Sequence, residues 1–250
     1  YSISGTDASS IGVDSSSGVL VFNSAPDYET KTSYTATMTA SDALYRTTQN
    51  ITVSVTNLND NSPVFTSGTT FNANENQTTI GTVAASDADG ETLSYSISGT
   101  DASSMSVDSS SGALTFGAAP DYETKTSYSV TATATDGTNS INQSVTINVT
   151  NLNDNSPVFT SSTTFSVNEN QTTVGTVAAS DADGNTLSYS ISGTDAPSMS
   201  INSSTGSLMF NSAPDYETKP SYSLIAAASD GSNSTTQNIT VSILNINESP

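Results

Sequence analysis

A block of sequence that recurs at one fixed spacing limits the fold strongly, because each copy must bury itself in the same way. In this 250-residue chain Tyr-Ser-Ile-Ser-Gly-Thr-Asp begins at residues 1, 95 and 189, a spacing of 94. Ala-Pro-Asp-Tyr-Glu begins at 25, 119 and 213, the same spacing. Gly81 to Gly90 returns unchanged as Gly175 to Gly184, and the nine letters NLNDNSPVF at Asn57 to Phe65 return at Asn151 to Phe159. A damaged copy, NINESP, closes the sequence from Asn245 to Pro250. A unit this long is too large for a solenoid turn and suits an independent small domain.

The periodicity within a unit is that of short strands. In the middle copy Ser127 to Thr135 sets Tyr128, Val130, Ala132 and Ala134 against Ser and Thr, and Ile141 to Val149 alternates in the same way. Thr79 to Ser86, Thr92 to Ser98, Met105 to Val107 and Ala113 to Phe116 read as further strands, the last two flanking an Asp108-Ser-Ser-Ser-Gly112 turn. Val64-Phe65 and Phe71 to Ala73 complete about seven strands in fewer than about 100 residues, the count of an immunoglobulin-like β-sandwich. Val, Ile, Thr, Tyr and Phe hold the apolar positions while helix formers are scarce. The expected fold is all-β: tandem immunoglobulin-like Greek-key sandwiches joined end to end as a rod.

The repeat frame divides the chain into 1–61, 62–155 and 156–250. The NLNDN stretches at the borders lack Gly and do not read as flexible tethers. The first unit lacks its first 32 positions and with them two strands, which would expose an edge and part of a core. The expectation is a window on a longer array; the alternative is that another chain supplies those strands, giving a polymer by strand exchange. Tyr-Ser-Ile-Ser at the start is no signal peptide, and no apolar run approaches membrane-span length.

Cys and His are absent, so thiolate or imidazole zinc sites and Ser-His-Asp or Cys-His pairs are excluded. The net charge is −20, with four Lys plus Arg against 24 Asp plus Glu. Nucleic acid and anionic membranes would be repelled. The natural counterpart is a hard cation, which takes oxygen ligands.

The carboxylates cluster. In the middle unit they fall at Asn74-Glu75-Asn76, Asp87-Ala-Asp89-Gly, Asp121-Tyr-Glu123, Asp136-Gly and Asn153-Asp154-Asn155, and these places together with their copies hold 18 of the 24. Two carboxylates at i and i+2 on an extended segment point to one side and repel unless a cation sits between them. Calcium takes roughly 6–8 oxygens, and the interleaved Asn side chains are neutral donors of the right kind; magnesium prefers a tighter octahedron with retained water. Asp and Gly also make ordinary turns, the reading adopted for Asp108-Ser-Ser-Ser-Gly and Ser-Gly-Thr-Asp101. Paired carboxylates could serve glycoside hydrolysis, but there is no Trp for sugar stacking and the pairs recur at domain ends.

Pro-Val-Phe, X-Glu-Asn, Asp-X-Asp, Asp-Tyr-Glu, Asp-Gly and Asn-X-Asn-Asp-Asn-Ser-Pro, in that order, resemble cadherin repeats in the bacterial cadherin-like style, over the whole chain. The resemblance implies calcium between successive domains. The first joint would then use Asp27, Glu29, Asn59, Asp60 and Asn61 with Asp87, Asp89 and Asp136. The second would use Glu75, Asp121, Glu123, Asn153, Asp154 and Asn155 with Asp181, Asp183 and Asp230. A terminal half-joint would use Glu169, Asp215, Glu217, Asn247 and Glu248. The family's linker usually begins with Asp; here Asn57, Asn151 and Asn245 stand in its place, which removes one charge per joint.

The expected function is a calcium-stiffened, extracellular or cell-surface structural or adhesive segment, a spacer or fibre and not an enzyme. Its partners would be calcium ions and neighbouring repeats of the same or an identical chain, without nucleic acid and without membrane insertion. A glycan- or partner-binding adhesion module is the alternative. It would need an exposed aromatic or a divergent loop, for which the units look too alike.

Overall fold

The computed structural model describes residues 1–248; Ser249 and Pro250, at the end of the third repeat, lie outside the described residues. The chain forms strands throughout, with two short 3-10 turns at Ala102–Ser104 and Ala196–Ser198. Contacts divide it into two compact units. The first comprises Tyr1–Ala73, Gln77–Ala119 and Ser127–Asn148; the second comprises Asn74–Asn76, Pro120–Thr126 and Val149–Pro250.

The second unit contains one whole sandwich. Its larger sheet runs Thr164–Asn168, Ser234–Leu244, Ser221–Ser229, Ser188–Ser192, and its smaller sheet Thr173–Thr176, Ser207–Phe210, Met199–Ile201. Val158–Phe159 pairs with Ala179–Ser180. The first and last long strands, Thr164–Asn168 and Ser234–Leu244, run parallel, while the other ladders are antiparallel. Alternation places Leu224, Ala226, Ala228, Ile239, Val241 and Ile243 in the core with Val177, Leu208 and Phe210. The first unit repeats this layout: Ser94–Ser98, Ser127–Thr135, Ser140–Thr150, Thr70–Asn74 in one sheet and Met105–Val107, Ala113–Phe116, Thr79–Thr82 in the other. It also carries the shorter sheets of the first repeat, Ser2–Ser4, Ser33–Ser41, Arg46–Ser54 and the pair Ile11–Val13, Leu20–Phe22.

The strand expected over Thr79 to Ser86 is broken. Thr79–Thr82 joins one sheet and Ala85–Ser86 pairs instead with Val64–Phe65. Gly112 explains the break: its φ is +72°, its carbonyl accepts from the Val83 N–H at 3.0 Å, and a Cβ there would collide with the Val83 carbonyl. Gly206 does the same beside Val177, with φ +69°.

Aspartates in the Ser-Gly-Thr-Asp turns do more than turn the chain. Asp195 accepts from the Ser223 N–H at 2.8 Å and pairs with the Lys219 ammonium, which lies 4.8 Å from the Tyr222 ring centroid. Asp7, Thr35, Lys31 and Tyr34 repeat the arrangement. The pairing holds both aspartate carboxyls below their ordinary value, chiefly through the lysine. Tyr222 also packs edge-on against Phe210, at 4.8 Å, tying this corner to the core.

Candidate metal centres

The second linker, Asn151 to Asn155, lies wholly in the second unit, together with the Asn74–Asn76 and Pro120–Thr126 loops. Glu75 is 1% exposed. One of its carboxylate oxygens accepts from the Tyr122 N–H at 2.8 Å, the other from the Leu152 N–H at 2.6 Å. Two charge-assisted bonds fix this buried carboxylate. Asn76, in the left-handed region at φ 61°, turns its amide onto Asp154. Carboxylate oxygens of Glu75, Glu123, Asp154 and Asp183 all lie within 4.8 Å of one another. Asp183 accepts from the N–H groups of Asp154 (3.1 Å) and Asn155 (2.9 Å) and from the Asn155 amide (2.9 Å). These donors, the Asn155 amide first, hold its carboxyl below the ordinary value. Lost hydration, then Glu75 and Asp183, hold that of Glu123 above.

Asp181 and Asp230 sit in the same neighbourhood without joining that group of four. Asp181 accepts from the Asp183 N–H at 3.1 Å. Asp230 accepts from the N–H groups of Ser232 and Asn233, and the Asn233 amide donates to Asn153 Oδ1 (3.3 Å) and the Asn155 carbonyl (3.1 Å). Asp121 is turned back on its own loop, accepting from Thr124.

The first linker, Asn57 to Asn61, lies wholly in the first unit. Glu29, Asp60 and Asp89 form one close group, and Asp87, Asp89 and Glu91 another. Asp89 accepts from the N–H groups of Asp60 (3.0 Å) and Asn61 (2.8 Å) and from the Asn61 amide (2.8 Å). Asp136 is clasped by Asn139, whose amide reaches Asn59 Oδ1 (3.1 Å) and the Asn61 carbonyl (2.9 Å). Asp27 accepts from Thr30 and lines an open cleft with Glu29, Leu58, Asp60 and Asn61.

At the expected half-joint Glu169 (1% exposed), Asp215 and Glu217 form a fourth close group. Glu169 accepts from the Tyr216 and Ile246 N–H groups. Glu248 stands outside this group and receives the Asn170 amide.

Several side chains were not singled out by the sequence. Asn57 and Asn151, noted only as replacements for Asp, donate to the carbonyls of Asp89 (2.8 Å) and Asp183 (3.0 Å), and their Oδ1 atoms are buried with no hydrogen-bond partner. Asp87 Oδ2, Glu91 Oε2 and Asp181 Oδ2 are orphaned in the same way. Apart from the Ser67 and Ser161 hydroxyls, these five are all the buried, unpartnered side-chain oxygens among the described residues. A buried oxygen without a donor is costly, so five of them at two acidic linkers fit a cation that takes oxygen. Asn139 and Asn233, which follow Asp-Gly by one residue in both copies, were the legible but unused signal.

The profile described as Cadherin domain matches residues 69–150 and 163–244, more than half of the chain. The chain belongs to the cadherin family. Cadherin relatives agree: human protocadherin Fat 4 is 38% identical over 263 aligned residues, covering 97% of this chain, and human protocadherin-16 is 34% identical, covering 91%. The chain spans about 5% and 8% of the length of these two relatives. Among solved structures, cadherin domains 3–6 of protocadherin gammaB7, described as a cis-dimer, superpose with a TM-score of 0.80 at 27% identity, covering 97% of this chain and 66% of that one. Mouse cadherin-23 EC22–24 shares the fold, with a TM-score of 0.73 at 22% identity, covering 98% of this chain and 86% of that one.

Proposed function

We propose that this cadherin chain is an extracellular structural or adhesive segment in which calcium at each linker sets the stiffness of the joint between repeats bordered at 61/62 and 155/156. The observation that carries the reading is the coincidence of the acidic groups with the five orphaned oxygens. Glu75, Glu123, Asp154, Asp181, Asp183, Asp230, Asn151 and Asn153 would hold cations at the second linker. Asp27, Glu29, Asp60, Asp87, Asp89, Asp136, Asn57 and Asn59 would do so at the first. Bound calcium supplies the positive charge that these carboxylates otherwise lack. The chain's own part is to place them: backbone N–H groups aim Glu75 and Asp89, and the Asn139 and Asn233 amides tie the Asp-Gly turns to the linkers.

Small-angle scattering and thermal unfolding of the chain with calcium and with chelator test this. Calcium should raise the melting temperature and narrow the spread of particle dimensions. Equal melting and equal scattering in both conditions refute it.

A second reading, contact with a partner through the first repeat, is favoured by one loop. Where the later copies read Asp-Gly-Thr-Asn and Asp-Gly-Ser-Asn, the first reads Asp42-Ala43-Leu44-Tyr45 before Arg46. Leu44 is 85% and Tyr45 78% exposed. Exposed Tyr and Arg side by side suit a contact surface. Loss of cell or glycan-array binding on Tyr45→Ser, with calcium binding intact, would support it.

A further inference from the structure

We infer that Glu91 is a cation ligand particular to the first linker. The inference rests on the calcium reading above and specifies which residues tune it.

The two linkers are identical in sequence, and so are the Asp-Ala-Asp-Gly loops that meet them. The position after that loop differs: Glu91 follows Gly90, whereas Asn185 follows Gly184. In the first unit carboxylate oxygens of Glu91, Asp87 and Asp89 lie within 4.8 Å of one another. Asp89 is supplied with donors by Asp60 and Asn61. Glu91 Oε2 and Asp87 Oδ2 are buried and receive none, and Asn57 Oδ1 shares their state. In the second unit Asp181 Oδ2 and Asn151 Oδ1 are the orphaned pair, and Asn185 adds no third oxygen to them; its N–H instead donates to Asp181 Oδ1 at 3.4 Å. The first linker thus presents three unpartnered oxygens, two of them charged, against two with one charged.

A carboxylate within 4.8 Å of two others, with one of its oxygens buried and without a donor, is a poor arrangement for the empty fold and a good one for a divalent cation. Glu91 also restores the charge that Asn57 removes relative to the family's usual Asp. Calcium affinity follows ligand charge count, so removing this carboxylate should weaken binding at the first linker about tenfold, and a carboxylate at position 185 should strengthen it at the second.

The test is calorimetric calcium titration of the whole 250-residue chain and two variants, Glu91→Asn and Asn185→Glu, each also melted in chelator. Glu91→Asn should weaken the sites of one linker about tenfold and leave the others unchanged, and Asn185→Glu should tighten the sites of the other linker by a similar factor. In chelator Glu91→Asn should melt at the same temperature or higher, because a repulsion has been removed. A structural role would lower it instead. If the wild-type chain takes up calcium and Glu91→Asn leaves every affinity unchanged, or lowers the melting temperature in chelator, Glu91 is not a ligand. If the wild-type chain takes up no calcium, the calcium reading falls, and this inference with it.

Discussion

Replacing Glu75 by Gln pits two effects of opposite sign against each other. The carboxylate is almost fully buried and accepts from the Tyr122 and Leu152 N–H groups at 2.8 and 2.6 Å. A glutamine keeps one acceptor and turns an NH2 toward the other N–H. One charge-assisted bond is lost, a second is weakened, and a buried donor is left facing a donor. At about 1.5–3 kcal/mol for a hydrogen bond to a charged group, the net loss is about 2–3 kcal/mol. The opposing effect is relief of repulsion with Glu123, Asp154 and Asp183. The first two are exposed and the third is half-buried, so solvent and salt already screen most of it. The hydrogen bonds should win. The readout is amide hydrogen exchange of Tyr122 and Leu152 in chelator, which isolates this corner from unfolding elsewhere. About 2–3 kcal/mol corresponds to exchange faster by about 30- to 150-fold. Glu169→Gln should repeat the result at Tyr216 and Ile246, whose N–H groups hold Glu169. Unchanged exchange, or greater protection, would show that repulsion dominates and that these bonds do not anchor the site.

Three further outcomes follow from the same geometry. Gly206→Ala puts a Cβ on the Val177 carbonyl at φ +69° and should cost about 3 kcal/mol in urea unfolding, whereas Gly184→Ala, at φ +79° with nothing nearby, should cost only about 1 kcal/mol; equal losses would refute the steric argument. Asp195→Asn removes the charge facing Lys219 but keeps an acceptor for Ser223; with Lys219 42% exposed the loss should be about 1 kcal/mol, read by thermal unfolding. In chelator, Glu91 and Glu123 have carboxyls raised above the ordinary 4.5, so the folded state gains as pH falls from 7 through their raised values, and the gain is complete below 4.5. Asp183 and Asp195 are lowered below 3.8 and lose their contribution only as pH falls through their folded values, so melting temperature in chelator should peak between these ranges; a steady fall from pH 7 would contradict it.

Strand positions were legible because alternation over nine residues, as in Ser127 to Thr135, admits one burial pattern. The break after Thr82 was not, because it depends on Gly112 meeting the Val83 carbonyl from about thirty residues away. For the candidate sites, the pairing of Asp with Asp or Glu at i and i+2 named most of the acidic residues, and the order of short signatures suggested how they would gather. The amides were harder to weigh: Asn57 and Asn151 stood out only as replacements for Asp, Asn139 and Asn233 look like filler in so Asn-rich a chain, and their contacts distinguish them. The turn reading of Ser-Gly-Thr-Asp101 misses what its copies Asp7 and Asp195 do, since nothing local links them to Lys31 and Lys219, 24 residues away in each case.

The parallel alignment of Thr164–Asn168 with Thr240–Leu244 has a mechanical consequence. One is the first strand of the larger sheet and the other is the last strand of the sandwich, in register over five pairs from Thr164 with Thr240 to Asn168 with Leu244. Tension applied through the chain on either side pulls these two strands past each other along their own length. All five pairs are then loaded together in shear, whereas an antiparallel hairpin pulled at its open end would unzip one rung at a time. Resistance to stretching thus resides in a five-pair ladder at one edge of the larger sheet, and a single proline at Phe165 or Val167 should weaken it more under load than at rest.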